Sequence, residues 1–247
     1  MNEEEFVQMD KGGVGDWWYD ARRIMLEREL SSTPLKSGAK ILDLAAACGG
    51  NFDICSQYGE VIGLDISWSS IEYCKGKNVT LVQANAEILP FAKESIDIVV
   101  ALDVLEHLKD DSCSMREIQR VLKKDTGKLI FNTPAFMALF SGHDIAFHHY
   151  RRYQARDLRK KLEAAKLRID FITYWSFFIF PLVFIFRKLE DFFQKPKEQA
   201  QSNFQLKIPR FVESILRFLS KIELKLIKRK TFLPFGVSIF GVANKVS

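Results

Sequence analysis

The side chains best suited to chemistry in this chain fall in two stretches. His143, Asp144, His148, His149, Arg151, Arg152 and Tyr153 crowd into one short segment, which holds three of the four histidines. A histidine can act as a general base near neutral pH, and arginines can clamp a phosphate or carboxylate through paired hydrogen bonds. The plainer alternative is a structural network that ties this segment to its neighbours. The second stretch is ILDLAAACGGN, residues 41–51, where an apolar run ends in Asp43 and small residues lead to Asn51. A ligand can approach backbone amides closely in such a turn when a helix follows. Asp65 ends the next apolar run, and a carboxylate there can accept both hydroxyls of a ribose. An aspartate in that place can equally be a helix cap.

Regular elements must hold these groups in place. Residues 17–30 are patterned as an amphipathic helix led by aromatic residues, and Ser37-Gly38 breaks it before a strand at Lys40–Leu44. Runs rich in Val, Ile and Leu at 61–65, 79–83, 96–101 and 128–132 alternate with helical stretches near 50–57, 68–75 and 111–123. This alternation predicts βαβ units and a mostly parallel sheet. Ligands in such folds bind beyond the strand C-termini, which is where Asp43, Asp65 and the histidine-rich segment fall. Further on, 154–165 reads as a helix, 168–174 as a strand and 235–243 as a final strand.

A chain of 247 residues with 47% apolar and 27% charged residues is globular in character. Met1 to Asp10 are acidic and polar, the opposite of a secretory leader. Cys48, Cys55, Cys74 and Cys113 form no CxxC pair, and no histidine stands at metal-like spacing. Buried free thiols in a reducing compartment are therefore expected, and no metal. Charge is unevenly spread. Residues 1–150 carry 15 Lys and Arg against 23 Asp and Glu, whereas residues 151–247 carry 21 against 8. A basic half can serve nucleic acid, an anionic membrane or an acidic partner. Its crowding with Phe, Ile and Leu argues against nucleic acid.

Four segments in order, LDLAAACGGN (42–51), GLDIS (63–67), NAEILPF (85–91) and ALDVLEHL (101–108), make the chain resemble the class I S-adenosylmethionine-dependent methyltransferases. LKKDTGKLIFNTP (122–134) matches the approach to the fifth strand of that family. The resemblance implies an α/β, Rossmann-like fold with a mostly parallel seven-stranded sheet and S-adenosyl-L-methionine as cofactor. It places Asp43 and the turn through Ala45, Ala47 and Gly49 at the methionine part of the cofactor. Asp65 would bind the ribose, and Ile66 would pack on the adenine. Asn85, Ala86 and Glu87 would meet the adenine edge. Asp103, Val104 and Leu105 would line the floor beside the sulfonium.

The segment Trp17, Trp18, Tyr19, Arg22, Arg23 resembles that of a subgroup acting in envelope glycan and lipid pathways, in which Trp17 and Arg22 would cap the cofactor. A helix packed on the sheet with solvated arginines is the alternative. The same subgroup pairs a histidine–aspartate with HxRRY. This makes His143, His149, Arg151, Arg152 and Tyr153 candidate catalytic residues together with His107, which can also be a buried hydrogen-bonding residue. Ala45 and Ala47 replace the family's glycines, and Asn85 replaces its acidic residue. No NPPY or DPPY tetrapeptide follows the fourth strand, which argues for an oxygen or carbon acceptor rather than an amino group of a nucleic-acid base.

The chain divides into a helical cap (1–36), a cofactor-binding core (37–174), a helical insert (175–236) and a final strand (237–247). Residues 171–186 carry no charge and contain Pro181, a run too short to span a bilayer. Along 210–230, Phe211, Ile215, Phe218, Leu219, Ile222 and Leu226 recur at helical spacing, with Arg217, Lys221, Lys225 and Lys228 on another face. This pattern predicts an insert lying on an anionic membrane surface, hence a cytoplasmic, peripherally bound enzyme with a lipid-linked or small-molecule substrate. The rival is burial of both segments against each other or in a homodimer. A soluble enzyme, a silent scaffold and an RNA-directed methyltransferase are the competing functions.

Overall fold

The computed structural model describes residues 16–192, 210–228 and 231–246. Strands β1 (Lys40–Leu44), β2 (Glu60–Asp65), β3 (Thr80–Gln83), β4 (Ile98–Leu102) and β5 (Lys128–Pro134) pair in parallel. β7 (Ser238–Lys245) lies antiparallel between β5 and β6 (Leu167–Trp175), completing the order β3-β2-β1-β4-β5-β7-β6. Every residue of β4 is buried, as a strand covered on both faces requires.

Side chains alternate between two apolar layers because the strand period is two. Leu42, Val99, Leu129 and Phe131 face one layer, where α4 (Asp111–Val121) and α6 (Ala155–Ala164) contribute Met115, Ile118, Leu158 and Leu162. Ile41, Ile98, Val100 and Ile130 face the other. That layer is covered by Met25, Leu26 and Leu30 of α1 (Trp17–Ser31) and by Leu224 and Ile227 of α8 (Arg210–Lys228). The short α2 (Phe52–Cys55) and α3 (Trp68–Cys74) add Phe52, Ile54, Cys55 and Cys74 to that layer, and α5 (Gly142–Ala146) comes after β5.

Between β6 and β7 the chain forms α7 (Phe180–Phe192) and α8. Pro181 falls in the first turn of α7, where its missing N–H removes no helical bond. The cap and the insert are packed together: the Arg28 guanidinium donates to the Leu224 carbonyl at 2.6 Å, and Arg217 pairs with Asp20 at 2.7 Å. The last strand begins at Ser238 rather than 235, and Gly236 ahead of it passes so close to Trp175 that a Cβ there would lie 2.2 Å from its carbonyl oxygen.

The buried face of α8 differs from the hydrophobic stripe in its sequence. Ser220, Glu223, Leu224 and Ile227 face the core, while Phe211, Ile215, Phe218 and Ile222 are exposed. Helix α7 likewise exposes Leu182, Ile185, Phe186 and Leu189. Among the described residues no helix is long and apolar enough to cross a membrane. All four cysteines are free thiols, and three are buried.

Candidate active site

The β1–α2 loop turns tightly beyond the sheet edge, with Ala45, Ala47 and Gly49 all at positive φ (57°, 47° and 72°). Glycine is needed at 49, where a Cβ would meet the Phe52 ring at 2.6 Å. The two alanines thus keep the backbone path that glycine usually takes, instead of being driven to negative φ as an added Cβ prefers. Asp65 at the end of β2 pins the loop: one carboxylate oxygen accepts from the Ala47 amide and the other from the Ser67 amide, both at 2.9 Å. The Ser70 hydroxyl and Lys77 ammonium hold the carbonyls of Ala47 and Cys48 at 2.6 Å.

Beneath the loop, Asp43 is fully buried and accepts from the Asn51 amide at 3.1 Å. Burial raises its pKa to about 7 against the opposing pull of Asn51 and Arg22. Two polar atoms nearby are buried without a partner, Asn51 Oδ1 and Arg22 Nε. Arg22 also reaches from α1 to the Asp103 carboxylate, whose other oxygen accepts from Asn132 at 2.6 Å. The Trp175 indole then donates to Asn132 at 2.7 Å, and Trp18 stacks on Trp175 at 5.1 Å between ring centres. Trp18 rather than Trp17 makes this aromatic contact. The arginine is therefore anchored, not freely solvated. Asn132 and Trp175 escaped sequence reasoning, since an asparagine and a tryptophan ending apolar strands carry no local mark of a network.

On the β2–β3 side, Ile66, Trp68 and Ile88 are 66%, 60% and 74% exposed, leaving apolar surface uncovered around the carboxylate of Asp65. Ala86 is buried. Asn85 Oδ1 already accepts from the Glu87 amide at 2.9 Å, which uses one of its two lone pairs. Glu87 is partly committed too, since its carboxylate accepts from the Asp110 amide at 3.1 Å. Val104 and Leu105 turn into the core, so Asp103 is the polar side chain of that trio.

A second cluster lies beyond β4 and β5. His149 Nδ1 pairs with Asp144 Oδ1 at 2.8 Å, and the Arg152 guanidinium donates to the same oxygen at 2.8 Å. Burial alone would raise the Asp144 pKa, but these two partners and the Ser141 amide hold it well below the usual carboxylate range. The His107 ring meets His149 edge-on, 4.5 Å between centres. Desolvation on its packed side, then the charge of His149, lower the pKa of His107 to about 4. Burial lowers His143 to about 4 as well, so both imidazoles are neutral at pH 7.

Arg152, Arg151 and Tyr153 all make contacts to the scaffold. Arg152 also reaches the Ala135 carbonyl, Arg151 pairs with Asp111 at 3.2 Å, and the buried Tyr153 hydroxyl donates to Asp111 at 2.7 Å. Glu106 was missed. It is fully buried beside His107, burial and Asp103 push its pKa well up, and Thr133 donates to one of its oxygens at 3.0 Å. An acid flanked by leucine, valine and histidine in VLEHL was its only sequence signal.

Residues 42–131 match the family model described as a methyltransferase domain. With the sheet order and the site at the strand C-termini, the chain has the Rossmann-like fold of the class I methyltransferases. The chain is 32% identical over 134 residues to the ubiquinone/menaquinone biosynthesis C-methyltransferase UbiE of Shewanella frigidimarina, covering 47% of this chain and 52% of that one. The chain thus spans about half the length of such curated relatives. Similar folds include the methyltransferase-type chain of a Haloferax volcanii complex with the Trm112 methyltransferase activator (TM-score 0.63, 15% identity, 99% of this chain and 96% of that one). Another is Haemonchus contortus phosphoethanolamine N-methyltransferase 2 with S-adenosylhomocysteine (TM-score 0.57, 20% identity, 92% and 52%).

The residues present suit S-adenosylmethionine. An orphaned guanidinium donor beside an orphaned amide acceptor and a buried carboxylate is complementary to the carboxylate and ammonium of an amino acid. Asp65 retains lone pairs for a ribose, and exposed Ile66 offers an apolar face to a base.

Proposed function

We propose that this protein transfers the methyl group of S-adenosylmethionine to an oxygen or carbon of an amphiphilic acceptor at a membrane surface. The carrying observation is the position of the exposed apolar faces. Helix α7 comes just after β6, whose Trp175 is joined to the Asp103 network, and α8 packs on α1, which carries Arg22, so the uncovered Leu182, Ile185, Phe186, Phe211, Ile215 and Phe218 belong to elements tied to the cleft. Bound S-adenosylmethionine supplies an already electrophilic methyl group, and the protein's task is to align the acceptor. Asp43, Arg22 and Asn51 hold the amino-acid end, Asp65 the ribose and Ile66 the base. His143, neutral near pH 7, stands ready as a base for a hydroxyl or carbon acid. The UbiE name, which denotes a C-methyltransferase of ubiquinone and menaquinone biosynthesis, supports a carbon atom of a lipid-type acceptor.

The cofactor half is tested by calorimetric titration with S-adenosylhomocysteine. Asp65→Ala removes a charged acceptor and is expected to weaken binding by about 2–4 kcal/mol. Circular dichroism would verify that the variant stays folded. Equal affinities would remove Asp65 from the site, and the absence of binding to wild type would leave the silent-scaffold reading.

A further inference from the structure

We propose that Glu106, His107 and His149 form a binding site for one divalent transition-metal ion. The histidines are far apart in sequence, which is why spacing gave no hint of it. The fold brings one nitrogen from each imidazole and one Glu106 carboxylate oxygen within 4.8 Å of one another. Glu106 is 0% exposed, Thr133 occupies its Oε2, and its Oε1 has no hydrogen-bond partner. A buried carboxylate oxygen left unsatisfied is costly, and a cation removes that cost.

The surroundings are arranged as a metal's would be. With the Nδ1 proton of His149 directed at Asp144, the ring's lone pair stands on Nε2. Such a carboxylate–histidine pair fixes the tautomer and ring orientation of a metal ligand. Asp144 is itself held by Arg152 and by the Ser141 amide at 2.8 Å. A set of two imidazoles and one carboxylate favours Zn²⁺, Fe²⁺ or Co²⁺ over Mg²⁺, which prefers oxygen alone. Three protein ligands leave coordination positions open. On the methyltransferase reading, with which this part stands or falls, the open position takes an oxygen of the acceptor. This narrows the substrate class to compounds with a hydroxyl or carbonyl oxygen on or beside the methylated atom.

The test uses the full chain, stripped of metal by dialysis against chelator, without cofactor or acceptor. Co²⁺ is titrated while its visible absorption is followed, and Zn²⁺ is titrated by calorimetry. One Co²⁺ per chain is expected, displaced by Zn²⁺. His149→Ala and Glu106→Gln should abolish the absorption bands, and Asp144→Asn should weaken affinity by about 10–100-fold. Circular dichroism checks each variant, with His107→Ala replacing any that unfolds. Wild type without bands, or bands that persist in folded ligand variants, overturns the site. Titrating the same metal-free wild type with S-adenosylhomocysteine separates the two readings. Cofactor binding without Co²⁺ uptake overturns the metal site alone, whereas Co²⁺ uptake without cofactor binding overturns the methyltransferase reading.

Discussion

Ala45 and Ala47 carry the cofactor loop through a region of backbone space that an L-residue enters at a cost of roughly 1–2 kcal/mol. The loop stays there because its neighbours over-determine it: Asp65 grips the Ala47 amide, and Ser70 and Lys77 grip the carbonyls of Ala47 and Cys48. Strain held by hydrogen bonds predicts the effect of relieving it. Ala45→Gly and Ala47→Gly should each stabilise the protein by about 0.5–1 kcal/mol, the relief being partly offset by the greater unfolded-state freedom of glycine. Denaturant melts would read this directly; a loss of stability would mean that the alanines are not strained. Affinity for S-adenosylhomocysteine should change little, because the path of the backbone is already that of a glycine turn.

Helix α8 carries a buried acid that ties it to the end of β6. Glu223 is buried, and its carboxyl accepts from the Phe177 amide at 3.0 Å and from the Ser176 amide, joining α8 to the loop that leaves β6. Burial raises its pKa from the ordinary 4.5 to about 7 in spite of both donors. The folded protein therefore holds a proton that the unfolded chain gives up near pH 4.5. Stability from this group is complete below about pH 4.5 and is lost as the pH rises through about 7. Glu223→Gln keeps an acceptor for the two amides and carries no charge. It should melt close to wild type at pH 5 and exceed it by about 1–3 kcal/mol at pH 8. Parallel pH dependences for the two proteins would show that Glu223 titrates normally.

Across the molecule, the basic C-terminal part and the exposed apolar helices coincide. Phe211, Ile215, Phe218 and Ile222 stand beside exposed Lys221 and Lys225, whereas Arg217 is turned inward to Asp20 and Glu213. Two of the basic residues seen in sequence therefore remain for a membrane, and the side chain of Lys228 lies outside the described residues. At about 1 kcal/mol for each lysine, they would contribute about 2 kcal/mol, roughly 30-fold in partitioning. Wild type should cosediment with anionic vesicles at low salt and be released as salt rises. Lys221→Glu with Lys225→Glu should bind at least that factor more weakly. Wild type that stays in the supernatant would remove the membrane from the proposal and favour a soluble acceptor. Sedimentation equilibrium of the same sample would show whether the apolar faces pair in a homodimer instead.

Local patterns were sufficient for the parallel strands, because alternating apolar runs and turns act over a few residues. β1 was read at its observed bounds, and β2 and β5 differ only at their ends. The carboxylates ending β1 and β2 were legible for the same reason: a strand end fixes a side chain's place at the sheet rim. Residues 171–186 were harder, since an uncharged aromatic run does not reveal where strand β6 stops and helix α7 starts. The hydrophobic stripe of α8 was visible, but which side would be buried was not. Helical periodicity states that a face exists, and only the packing of Leu224 and Ile227 against α1 and the sheet determined which one. The joining of Arg22 to Asp103, of His107 to His149 and of Tyr153 to Asp111 is likewise tertiary. These contacts are set by the crossing of strands and by loop closure, and partners so distant leave no spacing to read.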